Sequence, residues 1–157
     1  MVTKVFLSHK KEDTGEALIV SEVLRRKGIG FYLDELDPGM EYDGSRLAQH
    51  IRSHLTVCTH ILAVLSEKTK ESWWVPFEIG IATEKEHTIA SYLISSVRLP
   101  EYLEAWPRLR DRKDLELYCD HLTKPRTLLE NSASTSYGKR VSYSDAFHYI
   151  LKKNLGQ

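Results

Sequence analysis

The chain has 157 residues, 41% of them apolar and 28% charged, a composition that fits one soluble globular domain and excludes a disordered tail or a string of modules. Twenty-two basic residues balance twenty-two acidic ones and lie scattered, so there is no electrostatic footprint for nucleic acid. No run approaches the ~20 apolar residues of a membrane span, and Met1 to Lys10 reaches charge too early for a signal peptide; a cytoplasmic protein without nucleic-acid or membrane partners is expected.

From the front, Lys4 to Ser8 is a β-branched and aromatic run ending in polar residues, which predicts a buried strand. Glu16 to Lys27 predicts a helix with Leu18, Ile19, Val23 and Leu24 on one face and Gly28 as its stop. Gly30 to Leu33 follows as a second strand, and Asp34 to Gly44, rich in Asp, Glu, Gly and Pro, as a long loop. Ser45 to Val57 has helical spacing at Leu47, Ala48, Ile51 and Leu55, and Thr59 to Leu65 is a third strand. Pro76 to Lys85 reads as a helix with its proline in the first turn, then Ile89 to Ile94 as a fourth strand.

Beyond Pro100 the pattern gives a short helix at Glu101 to Trp106, an edge strand at Arg108 to Arg110, a helix over Asp114 to Leu122, and a last helix from Ser144 to Leu155. The Asn-Ser-Ala-Ser-Thr-Ser-Tyr-Gly run within Lys124 to Val141 is expected to be a flexible surface loop. The expected organisation is one domain over 1–157, with a core at 4–123, the loop at 124–141 and the closing helix at 144–155. Alternating strands and helices predict an α/β fold, a mainly parallel sheet with helices on both faces. Ligands in such sheets bind outside the carboxyl ends of the strands, which directs attention to Ser8–Asp13, Asp34–Gly44 and Ser66–Glu78.

The first of these loops offers a hydroxyl, an imidazole and two ammonium groups in Ser8, His9, Lys10 and Lys11, a set suited to a diphosphate or ribose; the plain alternative is a solvated loop with Asp13 or Thr14 as helix cap. The third loop, Ser72-Trp-Trp-Val-Pro-Phe-Glu78, places one carboxylate among aromatic and apolar side chains. Two readings are open to Glu78. Either it is buried and retained for a task, or it faces water in the first turn and complements the helix dipole.

The series Val5-Phe-Leu-Ser-His9, Glu12-Asp-Thr14, Gly28-Ile-Gly-Phe-Tyr-Leu-Asp34, Gly44 ahead of a helix, Leu62-Ala-Val-Leu-Ser66 and Ser72-x-Trp74-x-x-x-Glu78 resembles TIR (Toll/interleukin-1 receptor) domains, in order and at family spacing over roughly residues 4 to 95. The resemblance implies a flavodoxin-like, doubly wound sheet of about five strands. It also implies one of two activities, since the family contains adaptors that assemble signalling complexes and enzymes that cleave the nicotinamide–ribose bond of NAD+. The enzymatic members carry a Trp-x-x-x-Glu motif with a catalytic glutamate, matched by Trp74 and Glu78. On that resemblance Glu78 is the expected catalytic residue, with Ser8, His9, Lys10, Asp37 and Trp74 around the substrate, no metal, and NAD+ as substrate rather than cofactor. The chain is similar to the stand-alone TIR component of bacterial anti-phage pairs such as Thoeris, which implies a cyclic ADP-ribose-type signal, a separate effector that senses it and a phage-derived trigger. Self-association through TIR–TIR contacts is implied as well, with the loop around Asp37 to Asp43 contributed by a neighbouring subunit.

Other chemistries fit less well. His50 and His54 lie one helical turn apart but have no HExxH glutamate and no third ligand at a recognisable spacing, and Cys58 and Cys119 lack a CxxC or disulfide framework. Gly28-Ile-Gly30 precedes a strand, so it is a helix stop and not a dinucleotide fingerprint; Gly-x-Ser-x-Gly is absent; and Leu65-Ser66 lacks a phospho-acceptor aspartate. The competing readings are a non-catalytic TIR adaptor, in which Glu78 is a capping residue, and a glycosidase acting on another nucleoside or nucleotide.

Overall fold

The computed structural model describes residues 2–33, 44–71 and 74–157. Five strands, β1 (Lys4–Ser8), β2 (Gly30–Leu33), β3 (His60–Leu65), β4 (Thr88–Leu93) and β5 (Arg108–Leu109), pair throughout in parallel in the order β2-β1-β3-β4-β5. Six helices complete the described residues: α1 (Thr14–Arg26), α2 (Gly44–Thr56), α3 (Trp74–Glu84), α4 (Arg112–Leu122), α5 (Arg126–Tyr137) and α6 (Tyr143–Leu155), with 3-10 turns at Lys11–Asp13 and Glu101–Ala105. This is the parallel sheet that the alternation of elements predicts, in the flavodoxin-like doubly wound arrangement that the family resemblance implies.

Both faces of the sheet are buried, so the inner strands read as continuous apolar runs and alternate residues serve two cores. Val5, Leu7, Leu62, Val64 and Ala90 pack with α1, α4, α5 and α6. Phe6, Ile61, Ala63, Leu65 and Ile89 pack on the other face with Ile51 and Leu55 of α2 and Val75, Ile79 and Ala82 of α3. None of the described helices is long and apolar enough to cross a membrane.

Helix α1 stops where the sequence indicates. Gly28 takes φ 70, its N–H donates to Arg25 O, and Ile29 N–H donates to Leu24 O at 2.9 Å, the paired bonds of a left-handed glycine cap. Its buried face differs from expectation. Ala17, Val20, Ser21 and Leu24, spaced i, i+3, i+4 and i+7, face the core with Val23, whereas Leu18 and Ile19 are 51% and 53% exposed. Small Ala17 and Ser21 suit a helix lying close on the sheet, while hydrophobicity alone had favoured the larger pair.

The segment Lys124 to Val141, expected as a flexible loop, holds α5 instead. Leu129 and Ala133, one turn apart, are buried against the α1/α4/α6 core, and Gly138 ends the helix at φ 67. Ser, Thr and Asn are weak helix formers, but most helical stability in proteins comes from packing an apolar face, and two buried residues suffice to set that face here. The Arg126 guanidinium lies 4.1 Å from the Tyr143 ring centroid, joining α5 to the start of α6.

Around α6 lies a set of imidazoles, His60 and His121 buried and His87 and His148 half-buried. His60 contacts Thr59 Oγ1 through Nδ1 at 2.7 Å and Tyr143 Oη through Nε2 at 3.2 Å; His148 Nε2 accepts from Ile89 N–H at 2.8 Å; His121 sits between Leu117 O and Asn154. Burial drives the pKa of His60 down to about 3 and that of His148 to about 4, and it lowers His121 and His87 as well. Cys58 and Cys119 are buried free thiols whose pKa burial pushes up to about 11.

Candidate active site

In a sheet of order 2-1-3-4-5 the chain reverses direction of winding between β1 and β3, leaving a crevice beyond their carboxyl ends. Ser8 is the last residue of β1 and Glu78 the fifth of α3, the helix reached from β3. Both are 0% exposed. Ser8 Oγ–H donates to Glu78 Oε2, a hydrogen bond that links the end of β1 to α3 across seventy residues of sequence. Val75, Ile79 and Ala82 on the same helix are buried too, so Glu78 belongs to an apolar helix face and not to a solvated first turn. Of the two placements open from sequence, the buried one is observed. A carboxylate is costly to remove from water, and a hydroxyl aimed at one of its oxygens is the kind of partner such burial requires.

A second link lies beside the first. Asp13, 5% exposed, stands at the N-cap position of α1 but makes no cap hydrogen bond; its Oδ2 accepts from Thr69 Oγ1 instead. The Thr69 hydroxyl also accepts from Ser66 N–H at 3.0 Å, just past β3, and Ser66 O receives the N–H groups of Thr69 and Lys70. Glu67 pairs with Lys70 at 2.7 Å and accepts from Arg98 N–H, so its pKa is lowered by the Lys70 hydrogen bond first. The β1–α1 and β3–α3 connections are therefore tied twice, by Ser8–Glu78 and by Asp13–Thr69. The sequence placed Asp13 at the start of a helix, but nothing in the spacing marked Thr69 as its partner.

His9 and Lys10 follow Ser8 at the same strand end, both half-buried, and Lys10 O accepts from Asp13 N–H at 2.8 Å to close the 3-10 turn. Trp74 is the first residue of α3, with Pro76 in the first turn as the sequence indicates. Asp37 and the loop around it lie outside the described residues. The structure thus brings Ser8 and Glu78 into contact and places His9, Lys10 and Trp74 at the ends of the same two elements. His50 and His54 belong to a ring stack: their centroids are 4.2 Å apart, Tyr32 lies 4.0 Å from His54, and Tyr32 Oη contacts His50 Nε2 at 3.2 Å. Among the described residues no group of three His, Cys, Asp or Glu side chains is placed to hold a metal ion.

A parallel sheet of this order with a buried serine–glutamate pair at its winding reversal defines a site on an α/β domain of the doubly wound class. The TIR domain family model matches residues 5–128, and the chain belongs to that family. No curated protein sequence matches it significantly. Among solved structures, the chain is similar to the TIR domain of the Toll-related receptor TRR-2 of Hydra magnipapillata, at TM-score 0.56 and 18% identity over 71% of this chain and 87% of that one. It is similar to a 2-deoxyribosyltransferase of Bacillus psychrosaccharolyticus, at TM-score 0.60 and 12% identity over 73% and 90%. It also resembles a TIR-STING receptor of C. gigas, at TM-score 0.58 and 17% identity over 85% of this chain and 45% of that one. At these identities the likenesses establish the fold, which receptors and a transferase share.

Proposed function

We propose that the chain is an NAD+ nucleosidase, cleaving the nicotinamide–ribose bond with Glu78 as its catalytic residue. The observation that carries this reading is the full burial of Glu78 at the carboxyl edge of the sheet, held by the hydroxyl of Ser8. Membership of the TIR family and the Trp74-x-x-x-Glu78 spacing support it, since the motif is that of the family's enzymatic branch.

Nicotinamide leaves neutral from a cationic nitrogen: the C1′–N bond breaks, its electron pair goes to nicotinamide, and an oxocarbenium-like ribose remains. Catalysis then needs negative charge near C1′, preorganised in a site of low dielectric. Glu78 supplies it. On substrate entry the ribose hydroxyls replace Ser8 Oγ–H as donors to the carboxylate, while Ser8, His9 and Lys10 hold the ribose and diphosphate, and Trp74 and Asp37 complete the substrate pocket. Addition of water gives ADP-ribose and a proton; addition of the substrate's own adenine nitrogen or ribose hydroxyl gives a cyclic ADP-ribose and likewise releases a proton. No metal or resident cofactor enters the scheme.

The fuller proposal is a TIR enzyme of bacterial anti-phage defence, like that of Thoeris, self-associating through TIR–TIR contacts, answering a phage-derived trigger, and signalling to a separate effector in the cytoplasm. A second reading, an adaptor acting by association, draws on the exposed apolar pair Leu18 and Ile19 of α1. Concentrated protein incubated with NAD+, with and without lysate of phage-infected cells, separates the two. The enzyme releases nicotinamide, Glu78→Gln does not, and the mass of the second product distinguishes hydrolysis from cyclisation. No release under any condition from folded, associated protein favours the adaptor.

A further inference from the structure

A groove of about 900 Å³ lies where the C-terminal half of α6 meets the 3-10 turn before β5 and the end of α5, and Glu78 is not among its lining residues. Three aromatic side chains line it, Trp106, Tyr137 and Tyr149, and so do three cations, Lys139, Lys152 and Lys153, against a single acid, Asp145. In a chain of zero formal net charge this is a local excess of positive charge on an aromatic floor.

Its parts are arranged rather than merely adjacent. The Tyr137 and Tyr149 rings stand 4.8 Å apart at 58°, and Tyr137 is 52% exposed, presenting ring surface to solvent. Lys152 is fixed across the mouth by Glu104 O and Ala105 O, each 3.2 Å from Nζ, next to Trp106. Lys139 and Lys153 have no ion-pair partner among the described residues. Asp145, the one acid, is engaged by Ser142 Oγ at the start of α6. His148 also lines the groove; because its Nε2 accepts from Ile89 N–H, the neutral ring carries its proton on Nδ1 and adds a donor.

We propose that this groove is a second ligand site, for a nucleoside monophosphate or the equivalent moiety of a larger nucleotide, distinct from the site at Glu78. The base stacks on the tyrosine and tryptophan rings, where any base presents a π-face, and Lys139 and Lys153 take the phosphate oxygens as point charges. Lys152 sets the edge of the base pocket through its hold on the turn before Trp106. The volume lies within the range of small-molecule sites. The inference is independent of NAD+ cleavage, because neither Ser8 nor Glu78 lines the groove.

Titration calorimetry with AMP on the full chain tests it, with adenosine and inorganic phosphate as separate arms. AMP is expected to bind at least about tenfold more tightly than either fragment, since stacking and charge act on one ligand. The paired surface substitution Lys139→Glu with Lys153→Glu should weaken AMP by about tenfold or more while the thermal transition and any NAD+ cleavage stay unchanged. Tyr149→Ala should weaken AMP and adenosine alike, and Glu78→Gln should leave AMP binding intact. The proposal is overturned by absence of AMP binding, by phosphate or adenosine binding as well as AMP, by AMP binding that survives the lysine reversals, or by binding lost with Glu78→Gln. That last result would place the nucleotide at the other site.

Discussion

The two ends of this molecule bury polar side chains in different ways. At the carboxyl edge of the sheet Glu78 and Asp13, both acids, are each buried against a hydroxyl, Ser8 and Thr69, on a neighbouring connection. Beneath α6, buried His60 and His121 and half-buried His148 are held by carbonyl, amide and hydroxyl groups of the scaffold, and loss of water around the rings lowers all three pKa values, to about 3 for His60 and about 4 for His148. A neutral imidazole with its partners in place is a structural solution that asks nothing further of the protein. A buried carboxylate beside a winding reversal, partnered by a hydroxyl, is what the proposed NAD+ cleavage puts to use. Burial of a titratable group alone does not mark a functional site, and the proposal for Glu78 rests also on its partner and its place in the topology.

That contrast breaks most visibly at Glu78. Glu78→Gln is expected to lower nicotinamide release about 10³-fold while the melting temperature changes little, because the amide fills the same space and still accepts from Ser8. A parallel loss of folding, read by circular dichroism, would instead assign the residue to the scaffold. Phe147→Ala at the other end should do the reverse. The ring is 0% exposed and packs edge-on with Tyr118 and His60, so its removal should cost about 3–5 kcal/mol in denaturant unfolding with no specific effect on the site.

Acid separates the two ends again. The folded pKa values of His60 and His148 lie at about 3 and about 4, below an unfolded value of roughly 6.5, so the unfolded chain binds more protons between those limits. Stability is then full above about pH 6.5 and falls as pH drops, by roughly 1.4 kcal/mol per pH unit for each group. Urea unfolding at about pH 7 and about pH 5 should show that loss, and a flat profile would contradict the buried, neutral assignment. The smallest effect is expected from Thr69→Val, which removes the donor to Asp13 and the acceptor for Ser66 N–H. It should destabilise by about 1–3 kcal/mol, and a change near zero would mean that the second tie is not made in solution.

How much of this was legible in the sequence follows from which interactions are local. The strands stood out because parallel strands buried on both faces are continuous apolar runs, as in Ile61 to Leu65. The end of α1 stood out because a left-handed cap at Gly28 needs glycine. Helix α5 did not, since its Ser, Thr and Asn content argues locally for a loop, and only packing of Leu129 and Ala133 against other helices decides otherwise. The face of α1 was misread for a similar reason: small Ala17 and Ser21 turn inward while Leu18 and Ile19 remain outside. For the site, loop position and the family resemblance pointed to Glu78 and Ser8 but left the burial of Glu78 open, and the Asp13–Thr69 tie, spanning fifty-six residues, has no local signature.

The most direct test of the central claim is a crystal structure of the Glu78→Gln variant soaked with NAD+, in which the slowed reaction preserves the substrate. The account places the nicotinamide ribose within hydrogen-bond distance of the side chain at position 78, with the Ser8 contact exchanged for ribose hydroxyls and the diphosphate beside His9 and Lys10. NAD+ bound elsewhere, or a Ser8 contact unbroken beneath an NAD+ that never reaches position 78, would contradict it.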